Sequence, residues 1–282
     1  MSFYTNLRYK LKYKLAEKEM NFLPKGYQII GKILLIKLDK KLLKHKKSIG
    51  KSIIEILPYV HTVCLMKEIK GITRKPRIEV IAGCKSTQTL HKEYNCQFLL
   101  DVSEVMWSQG NKNERMRLAK LVKPKETIVD MFAGIGYFSI FLAKYCKPEK
   151  IYAIDINPKA IEYLRKNIWL NDVENKIEVL QGDCRLFAKP LENTADRIIM
   201  GYLFKTEKFL SYAFKIAKNN AVIHFHRTVK QEEIEKIKKK IIEIGKKNKV
   251  KIKILKTVKV KSYAPKILHV VLDLEVIKKR SI

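Results

Sequence analysis

In the first third of the chain, the spacing of apolar residues switches between the two-residue period of strands and the period of about 3.6 residues of helices. These switches predict its elements. The run YQIIGKILLIKL (27–38) is typical of strands. Asp39 is a favoured helix cap, and the apolar spacing after it predicts a helix over KKLLKHKKSIGKSIIEILPY. Further short strands are predicted at Thr62–Met66, Arg77–Ala82, Gln88–Tyr94 and Gln97–Asp101. We therefore expect a small α+β domain over residues 23–95.

From Asn113 onwards, predicted helices and strands alternate. The predicted helices are Glu114–Val122, Tyr137–Tyr145, Pro158–Leu170, Thr206–Lys218 and Gln231–Lys247. The predicted strands are Thr127–Phe132, Lys150–Asp155, Lys176–Leu180, Asp196–Met200, Ala221–His226, Val250–Lys259 and Ile267–Val276. This alternation predicts an α/β domain over residues 96–282, with a mostly parallel sheet covered by helices on both faces. A short loop joins the last two strands, so we expect them to form an antiparallel closing pair.

Residues 1–22 form a leader rich in Lys and Tyr that the pattern predicts as a basic amphipathic helix. Two interpretations stay open, an arm that faces RNA and a frayed terminus. The leader lacks the apolar stretch and cleavage site of a signal peptide. No apolar run approaches the ~20 residues that a membrane span needs, so we expect a cytoplasmic protein without a membrane partner.

The charge of the chain is strongly unbalanced, with 59 Lys and Arg residues, 28 Asp and Glu residues and a formal net charge of +31. Adaptation to heat enriches Lys and Glu together. An excess of bases alone favours a polyanionic partner, because each contact with a phosphate releases counterions. The residue preferences of an AT-rich genome, or lysine-rich faces that are simply solvated, could also produce this excess. The charge indicates nucleic acid without indicating which one.

Two kinds of site are excluded by spacing. The five cysteines have no close pair, which argues against a disulfide framework and a zinc ribbon, so we expect no metal. The run Gly50-Lys51-Ser52 resembles the end of a phosphate-binding P-loop, but that motif needs glycine where this chain has His45. The run is also predicted as helix, which excludes an NTPase.

Residues suited to an adenosine-containing ligand follow three successive strands of the second domain, where such sheets bind ligands. Asp130 leads into FAGIG (132–136), whose glycines let the backbone approach a ligand and start a helix tightly. Asp155 ends the next strand, where a carboxylate can accept hydrogen bonds from both ribose hydroxyls. Asp183 follows the third strand, where an adenine amino group would lie. Each feature also fits a plain turn or a helix cap, but the three together are far less expected by chance.

The glycine pattern separates two candidate cofactors. A dinucleotide-binding loop would carry a third glycine at position 139, in the pattern G-x-G-x-x-G, and this chain has Ser139. We therefore predict S-adenosylmethionine rather than NAD.

Seven segments of the chain carry a more specific pattern. They are FLLDVSEVMWSQGNKNERMR (98–117), VDMFAGIGYFSI (129–140), YAIDINPKAI (152–161), GDCR (182–185), DRIIMGYL (196–203), AVIHFH (221–226) and VKSYAP (260–265). Together they resemble the superfamily that modifies the purine 3′ of the tRNA anticodon, which contains the tRNA guanosine N1-methyltransferases and the wybutosine-pathway aminocarboxypropyltransferases. The run GYQIIGKILLIKL is similar to the start of the small domain that these enzymes carry before the catalytic one.

The resemblance implies a class I methyltransferase-like Rossmann sheet and a set of cofactor-binding residues. These are Ser108, Arg115, Phe132, Ala133, Gly134, Gly136, Asp155, Ile156, Asp183 and Cys184. Ser108 and Arg115 would hold the methionine half of the cofactor, and a guanidinium suits its carboxylate because it can pair bidentately. The alternative for Arg115 is an ordinary surface position on a helix.

The residues after the fourth strand of this sheet distinguish the two branches of the superfamily. The methyltransferases carry an Asn-Leu-Pro or Asn-Pro-Pro turn there, whereas this chain has Gly201-Tyr202-Leu203. The Gly-Tyr pair and the HFH run are similar to the aminocarboxypropyl branch. The resemblance therefore implies transfer of the 3-amino-3-carboxypropyl group from S-adenosylmethionine to C7 of 4-demethylwyosine in phenylalanine tRNA. Methylation of guanosine N1 at the same position and a non-catalytic tRNA-binding module are the alternatives.

The catalytic residues themselves are not identified by the sequence. Tyr202 is a candidate for stacking on the flipped-out acceptor base, with ordinary packing as its alternative. His226 is a weak candidate for the base that removes the proton from the acceptor carbon, and a structural role is its alternative. We expect a monomer, in which residues 1–95 recognise the body of the tRNA.

Overall fold

Buried apolar side chains form separate cores in two parts of the chain. The computed structural model, which describes residues 2–71 and 73–278, divides into two compact units, Met1–Trp107 and Ser108–Ile282. The boundary between the units, after Trp107, lies twelve residues beyond the predicted boundary between residues 95 and 96. The hairpin that ends near residue 101 belongs with the first unit, because Thr89 Oγ1 accepts from the Lys32 N–H at 3.1 Å and the Trp107 ring packs on His91.

The first unit is the predicted α+β arrangement. Its helices are α1 (Phe3–Leu11), α2 (Glu17–Met20) and α3 (Lys46–Ile56). Its strands are β1 (Gln28–Ile30), β2 (Ile33–Ile36), β3 (Thr62–Lys70), β4 (Lys75–Gly83), β5 (Gln88–Glu93) and β6 (Cys96–Asp101). Strands β1–β4 form one sheet in that order, and β5 and β6 form a separate hairpin. Asp39 caps a 3₁₀ turn that leads into α3, as its position predicts, and accepts from the Lys41 N–H at 2.9 Å.

The leader forms part of the first unit, because α1 buries Leu7 and Leu11 in the same core as Ile49 and Ile53 of α3. The interpretation of the leader as a frayed terminus is therefore wrong. In the turn that follows α1, Tyr13 is 90% exposed, and the Lys12 ammonium lies 4.6 Å from its ring centroid.

The glycine of the apparent phosphate-loop run has a packing role. Gly50 is buried in α3, and a Cβ added there would lie 2.8 Å from Cβ of Ala82 on β4. Glycine thus lets the helix approach the sheet closely, and the helical setting confirms that this run is not a P-loop.

The second unit contains an α/β sheet of seven strands. Its helices are α4 (Lys112–Leu121), α5 (Ser139–Tyr145), α6 (Pro158–Leu170), α7 (Leu210–Ile216) and α8 (Ile234–Lys247). Its strands are β7 (Thr127–Asp130), β8 (Lys150–Asp155), β9 (Ile177–Gln181), β10 (Ala195–Met200), β11 (Ala217–Lys230), β12 (Val250–Ala264) and β13 (Ile267–Lys278). The order is β12-β13-β11-β10-β7-β8-β9. Strand β13 pairs antiparallel with both β12 and β11, and the pairs from β11 to β9 are parallel. This confirms the predicted fold class and the antiparallel closing pair.

The position of β7 in the sheet determines where a ligand can bind. Strand β7 lies between β10 and β8, so the strand order reverses there and the connections to the two halves of the sheet run in opposite directions. Such a reversal opens a crevice at the carboxyl end of the strand. Helix α6 has the predicted bounds because Asn157 caps it, accepting from the Lys159 N–H at 3.0 Å, and Pro158 takes its first position.

Candidate active site

The loop after β7 depends on two glycines with left-handed backbone. Gly134 has a φ of +58° and Gly136 a φ of +97°. A Cβ would lie 2.5 Å from the Tyr137 ring at Gly134 and 2.5 Å from Cδ1 of Ile140 at Gly136. Both positions therefore exclude a side chain on two independent grounds, conformation and space.

Asp130 supports this loop from inside the sheet. It is fully buried, and its Oδ2 accepts from the Ser139 hydroxyl at 2.8 Å while its Oδ1 faces the Phe132 N–H at 3.4 Å. Burial raises the pKa of Asp130 to about 7. Ser139, which stands where a dinucleotide loop would have glycine, is thus the partner of a buried carboxyl group.

Asp155 connects the end of β8 to the glycine loop. Its Oδ2 accepts from the Gly134 N–H at 2.7 Å, and its Oδ1 accepts from the Asn157 N–H at 2.8 Å. Burial raises the pKa of Asp155, and the backbone N–H groups oppose this rise. Ile156 follows with 48% of its surface exposed, so a carboxylate and an exposed apolar side chain adjoin the loop.

The end of β9 adds Asp183 and Cys184. The Gly182 N–H donates to the Asp155 carbonyl at 2.9 Å, which joins the ends of β8 and β9. Asp183 is held by Arg185, whose Nη2 lies 2.6 Å from Oδ2 and whose hydrogen bonds lower the pKa of that carboxyl. Burial raises the pKa of the Cys184 thiol to about 12, so Cys184 is an apolar wall and not a nucleophile.

Ser108 and Arg115 lie before β7, on either side of the start of α4. Arg115 is 1% exposed, which excludes the alternative of a helix-surface residue. Ser108 Oγ lies 3.4 Å from Nζ of Lys261. The Lys261 side chain crosses Gly110 so closely that a Cβ there would lie 2.4 Å from Nζ. Sequence reasoning missed Lys261, although it lies within the quoted segment VKSYAP.

A buried ionic network anchors α4 to the sheet. Arg117 donates to Glu114 at 2.8 and 2.7 Å and to Asp273 at 2.6 and 3.0 Å. Asp273 also lies 2.7 Å from Nδ1 of His224, whose Nε2 lies 2.7 Å from Nη1 of Arg197. Sequence reasoning missed this network. The signals were the histidine in HFH and the single aspartate inside the apolar strand ILHVVLDLEV.

His226 occupies the same strand face as His224 and is also fully buried. Its Nδ1 lies 3.0 Å from Nε2 of His269, its Nε2 lies 4.0 Å from Oε1 of Glu114, and its ring packs on Phe138. Burial lowers the pKa of His226 well below its usual range, and the neighbouring His269 adds to this. An enclosed neutral imidazole favours the structural alternative for His226 over that of a base that touches substrate.

Four aromatic rings run from the glycine loop towards solvent, and we name Phe132, Tyr202, Phe204 and Tyr263 the aromatic row. Phe132 and Tyr202 are stacked, with ring centroids 5.3 Å apart and planes at 27°. Tyr202 lies 6.1 Å from Phe204, which lies 6.0 Å from Tyr263. Tyr202 therefore combines contact with the cofactor loop and partial exposure, so both its predicted stacking role and its packing role stay open.

The described part of the chain offers no metal centre. Within residues 2–71 and 73–278, no group of three or more His, Cys, Asp or Glu side chains could hold a metal ion. No helix in those residues is long and apolar enough to cross a membrane.

The crevice fits an adenosine-containing cofactor. The glycine loop lets a ligand lie against the backbone, the Asp155 carboxylate adjoins that loop, and Ile156 leaves an exposed apolar surface beside it. The fold and site together define the class as an S-adenosylmethionine-dependent transferase with the class I methyltransferase fold.

Comparison with known proteins identifies the family. A model described as the TRM5/TYW2 methyltransferase domain matches residues 89–253, and one described as the TYW2 N-terminal domain matches residues 7–87. The chain belongs to the TRM5/TYW2 family.

Two relatives come from the two branches of this family. The tRNA(Phe) (4-demethylwyosine(37)-C(7)) aminocarboxypropyltransferase of Pyrococcus horikoshii is 41% identical over 277 residues, which cover 96% of each chain. The tRNA (guanine(37)-N(1))-methyltransferase Trm5b of Pyrococcus abyssi is 36% identical, over 90% of this chain and 76% of the relative.

A solved structure resembles the whole chain. The crystal structure of P. horikoshii TYW2 in complex with MeSAdo has a TM-score of 0.85 and 38% sequence identity, and the match covers 98% of this chain and 100% of that one.

Proposed function

We propose that this chain transfers the 3-amino-3-carboxypropyl group from S-adenosylmethionine to C7 of 4-demethylwyosine next to the anticodon of phenylalanine tRNA. The observation that carries this proposal is the turn Gly201-Tyr202-Leu203, which lies beside the glycine loop through the stack of Tyr202 on Phe132. The P. horikoshii aminocarboxypropyltransferase, at 41% identity over nearly all of both chains, supports it.

The adenosine part of the cofactor would lie against the backbone of Phe132, Ala133, Gly134 and Gly136. Asp155 would accept from the ribose hydroxyls, since its carboxylate already adjoins the Gly134 N–H. Ile156, Asp183 and Cys184 would form the adenine side of the site.

Arg115 and Ser108 would orient the methionine end of the cofactor. The bound sulfonium supplies a methyl carbon and a γ-carbon that are both open to attack. The carbon held in line with the acceptor at about 3–3.5 Å is the one that transfers. The residues that position the methionine end therefore decide between methyl and aminocarboxypropyl transfer, and the buried setting of Arg115 suits that task.

The acceptor base would lie beside Tyr202, whose ring is partly exposed. The residue before Tyr202 is a glycine and adds no side chain to the turn. A Cβ at Gly201 would lie 3.4 Å from the Phe138 ring, which is an ordinary van der Waals distance, so the turn packs beside Phe138 at this wall of the crevice. His226 would position α4 through the Glu114 side of the network rather than contact the base.

Two separately labelled cofactors test the reaction. The full chain is incubated with tRNA that contains 4-demethylwyosine and with S-adenosylmethionine labelled in the methyl group or in the carboxyl group. We expect the carboxyl label to enter the RNA and methylthioadenosine to be released. Entry of the methyl label with release of adenosylhomocysteine would refute the proposal.

The second candidate is methylation of guanosine N1 at the same position, favoured by the 36% identity to Trm5b of P. abyssi. The same assay with tRNA that carries unmodified guanosine there distinguishes it, because only this candidate predicts methyl transfer to that RNA. A non-catalytic tRNA-binding module predicts no transfer to either RNA and no heat of cofactor binding in calorimetry.

We also propose that residues 1–95 recognise the body of the tRNA, and that the chain acts as a monomer in the cytoplasm. The exposed Lys12 and Tyr13 of the leader support the first part, because a cation and an aromatic ring together suit RNA. Lys12→Ala and Tyr13→Ala should weaken tRNA binding and spare cofactor binding, and unchanged tRNA affinity in both would contradict this role.

A further inference from the structure

The outer end of the aromatic row consists of two exposed rings from separate elements. Phe204 follows β10 and is 39% exposed, and Tyr263 lies near the end of β12 and is 41% exposed. The two rings meet edge to face, with centroids 6.0 Å apart and planes at 78°. Each ring therefore fixes the other while both keep surface open to solvent.

The aromatic row links these exposed rings to the cofactor loop. Phe204 contacts Tyr202 at 6.1 Å, and Tyr202 stacks on Phe132 of the glycine loop. Phe132 and Tyr202 are partly buried, so exposure increases outward along the row. A ligand on the outer rings would thus continue directly from one that occupies the crevice.

The turns that carry these rings are also positively charged. Lys205 directly follows Phe204, and Lys266 closes the turn after Tyr263; both are exposed. Among the described residues, neither ammonium has a carboxylate within 4.0 Å. Exposed rings flanked by free cations match a nucleotide, with a base to stack and a phosphate to neutralise.

We propose that Phe204 and Tyr263 form a stacking site for an unpaired RNA base that flanks the acceptor base, with Lys205 and Lys266 near its phosphates. This inference rests on the proposed function, which places the acceptor base beside Tyr202. Extruding an acceptor base costs a few kcal/mol of stacking. The adjacent base in the RNA then loses its stacking partner on one face. The outer rings would cover that face, and because every base has a π-face the site would tolerate any base there.

Fluorescence of a base analogue tests the site. Two anticodon stem-loop RNAs carry 2-aminopurine, one on the 5′ side and one on the 3′ side of the acceptor position, and each is titrated with the full chain and S-adenosylmethionine. We expect stacking to quench the emission of at least one RNA. Tyr263→Ala and Phe204→Ala should abolish that quenching and weaken RNA binding roughly tenfold each, whereas Tyr263→Phe should retain both. Tyr263→Leu keeps the apolar bulk of the turn and should behave as Tyr263→Ala does.

Trp169→Ala provides the matched control, because Trp169 on α6 is 69% exposed in the same unit but outside the aromatic row. It should leave quenching and RNA affinity unchanged. Unchanged quenching in Tyr263→Ala and Phe204→Ala would overturn the site, as would equal losses in Tyr263→Phe and Tyr263→Ala. Calorimetric cofactor affinity should stay constant across the set. If the wild-type chain quenches the probe but transfers no carboxyl label, the proposed reaction fails while the stacking site stands.

Discussion

His224 on β11 and Asp273 on β13 are directly paired in the sheet, and Nδ1 of His224 lies 2.7 Å from Oδ1 of Asp273. Burial raises the pKa of Asp273, but the hydrogen bonds from His224 and Arg117 outweigh it and lower that pKa well below its usual range. The carboxylate is therefore ionised, and through Arg117 it holds the helix that carries Arg115.

Neutralising this carboxylate should destabilise the second unit. Asp273→Asn removes the buried carboxylate that pairs with His224 and with the partly buried Arg117 guanidinium, and we expect the free energy of unfolding to fall by about 3 kcal/mol. Urea unfolding at pH 7 measures it. Glu162→Gln, which removes an exposed pairing with Lys159 and Lys166 on α6, should leave the free energy of unfolding close to that of the wild type. Equal effects of the two variants would contradict a structural role for the network.

The ribose-binding role of Asp155 predicts a loss of cofactor affinity. Asp155→Asn should weaken S-adenosylmethionine binding by about 10- to 100-fold, because hydrogen bonds to a charged group contribute about 1.5–3 kcal/mol. Isothermal calorimetry measures it. The control is Glu178→Gln on β9, an exposed acid that pairs with Lys150 at 3.5 Å, and it should bind the cofactor as the wild type does. Wild-type affinity in Asp155→Asn would exclude this role.

The glycine loop should reject even one methyl group. Gly136→Ala combines a left-handed φ with contacts of 2.5 Å to Ile140 and 2.9 Å to Leu164, so we expect it to lower the thermal midpoint and cofactor affinity together. Gly26→Ala, where a Cβ meets nothing within 4 Å, is the matched control and should change neither. A Gly136→Ala variant that melts and binds normally would show that the loop is more adaptable than its geometry indicates.

Asp130 should make stability decrease as the pH rises. Its folded pKa, about 7, exceeds its ordinary value of 3.8, so its contribution to stability is complete below pH 4 and is lost as the pH rises to 7. Relative to wild type, Asp130→Asn should gain about 1.4 kcal/mol per pH unit between pH 5 and pH 7 and level off above pH 7.5. Urea unfolding of both proteins at half-unit intervals measures this difference, and a flat difference would mean that Asp130 is ionised throughout.

His269 should have the opposite effect on acid stability. Burial, with Lys261 nearby, lowers the pKa of His269 from 6.5 to about 4, so its contribution is present above pH 6.5 and is lost as the pH falls towards 4. His269→Gln should therefore lose less stability than wild type between pH 6.5 and pH 5, by about 1.4 kcal/mol per unit. Parallel pH curves for the two proteins would contradict a buried neutral histidine.

Local signals made most elements predictable from the sequence. Helix α6 has the predicted bounds because Asn157 and Pro158 mark its start, and β8 has the predicted bounds because Asp155 ends an apolar run. Strand β11 is longer than predicted, Ala217–Lys230 instead of Ala221–His226, because Ala217 pairs with β10 at one end and residues up to Lys230 pair with β13 at the other. Helix α2, a single turn of four residues, has no periodicity to detect.

The candidate site was predictable where each residue has a local motif, and not where partners are far apart. The glycine loop and Asp155 are brought together as predicted, through the hydrogen bond from the Gly134 N–H. The roles of the individual cofactor residues stay predictions. The Arg117–Asp273 pair joins residues 156 positions apart, and the His224–Asp273 pair depends on the register of β11 and β13, neither of which a local pattern encodes.

Strand β13 lies between β11 and β12 although it follows both in the chain. During synthesis, the edge of β11 that faces away from β10 stays unpaired until residues 267–278 emerge, and the Arg117 guanidinium and the His224 imidazole lack Asp273 until then. Contacts this distant in sequence form late and slowly. A chain interrupted before residue 267 would therefore contain the residues of the cofactor loop but lack the carboxylate that anchors α4 to the sheet.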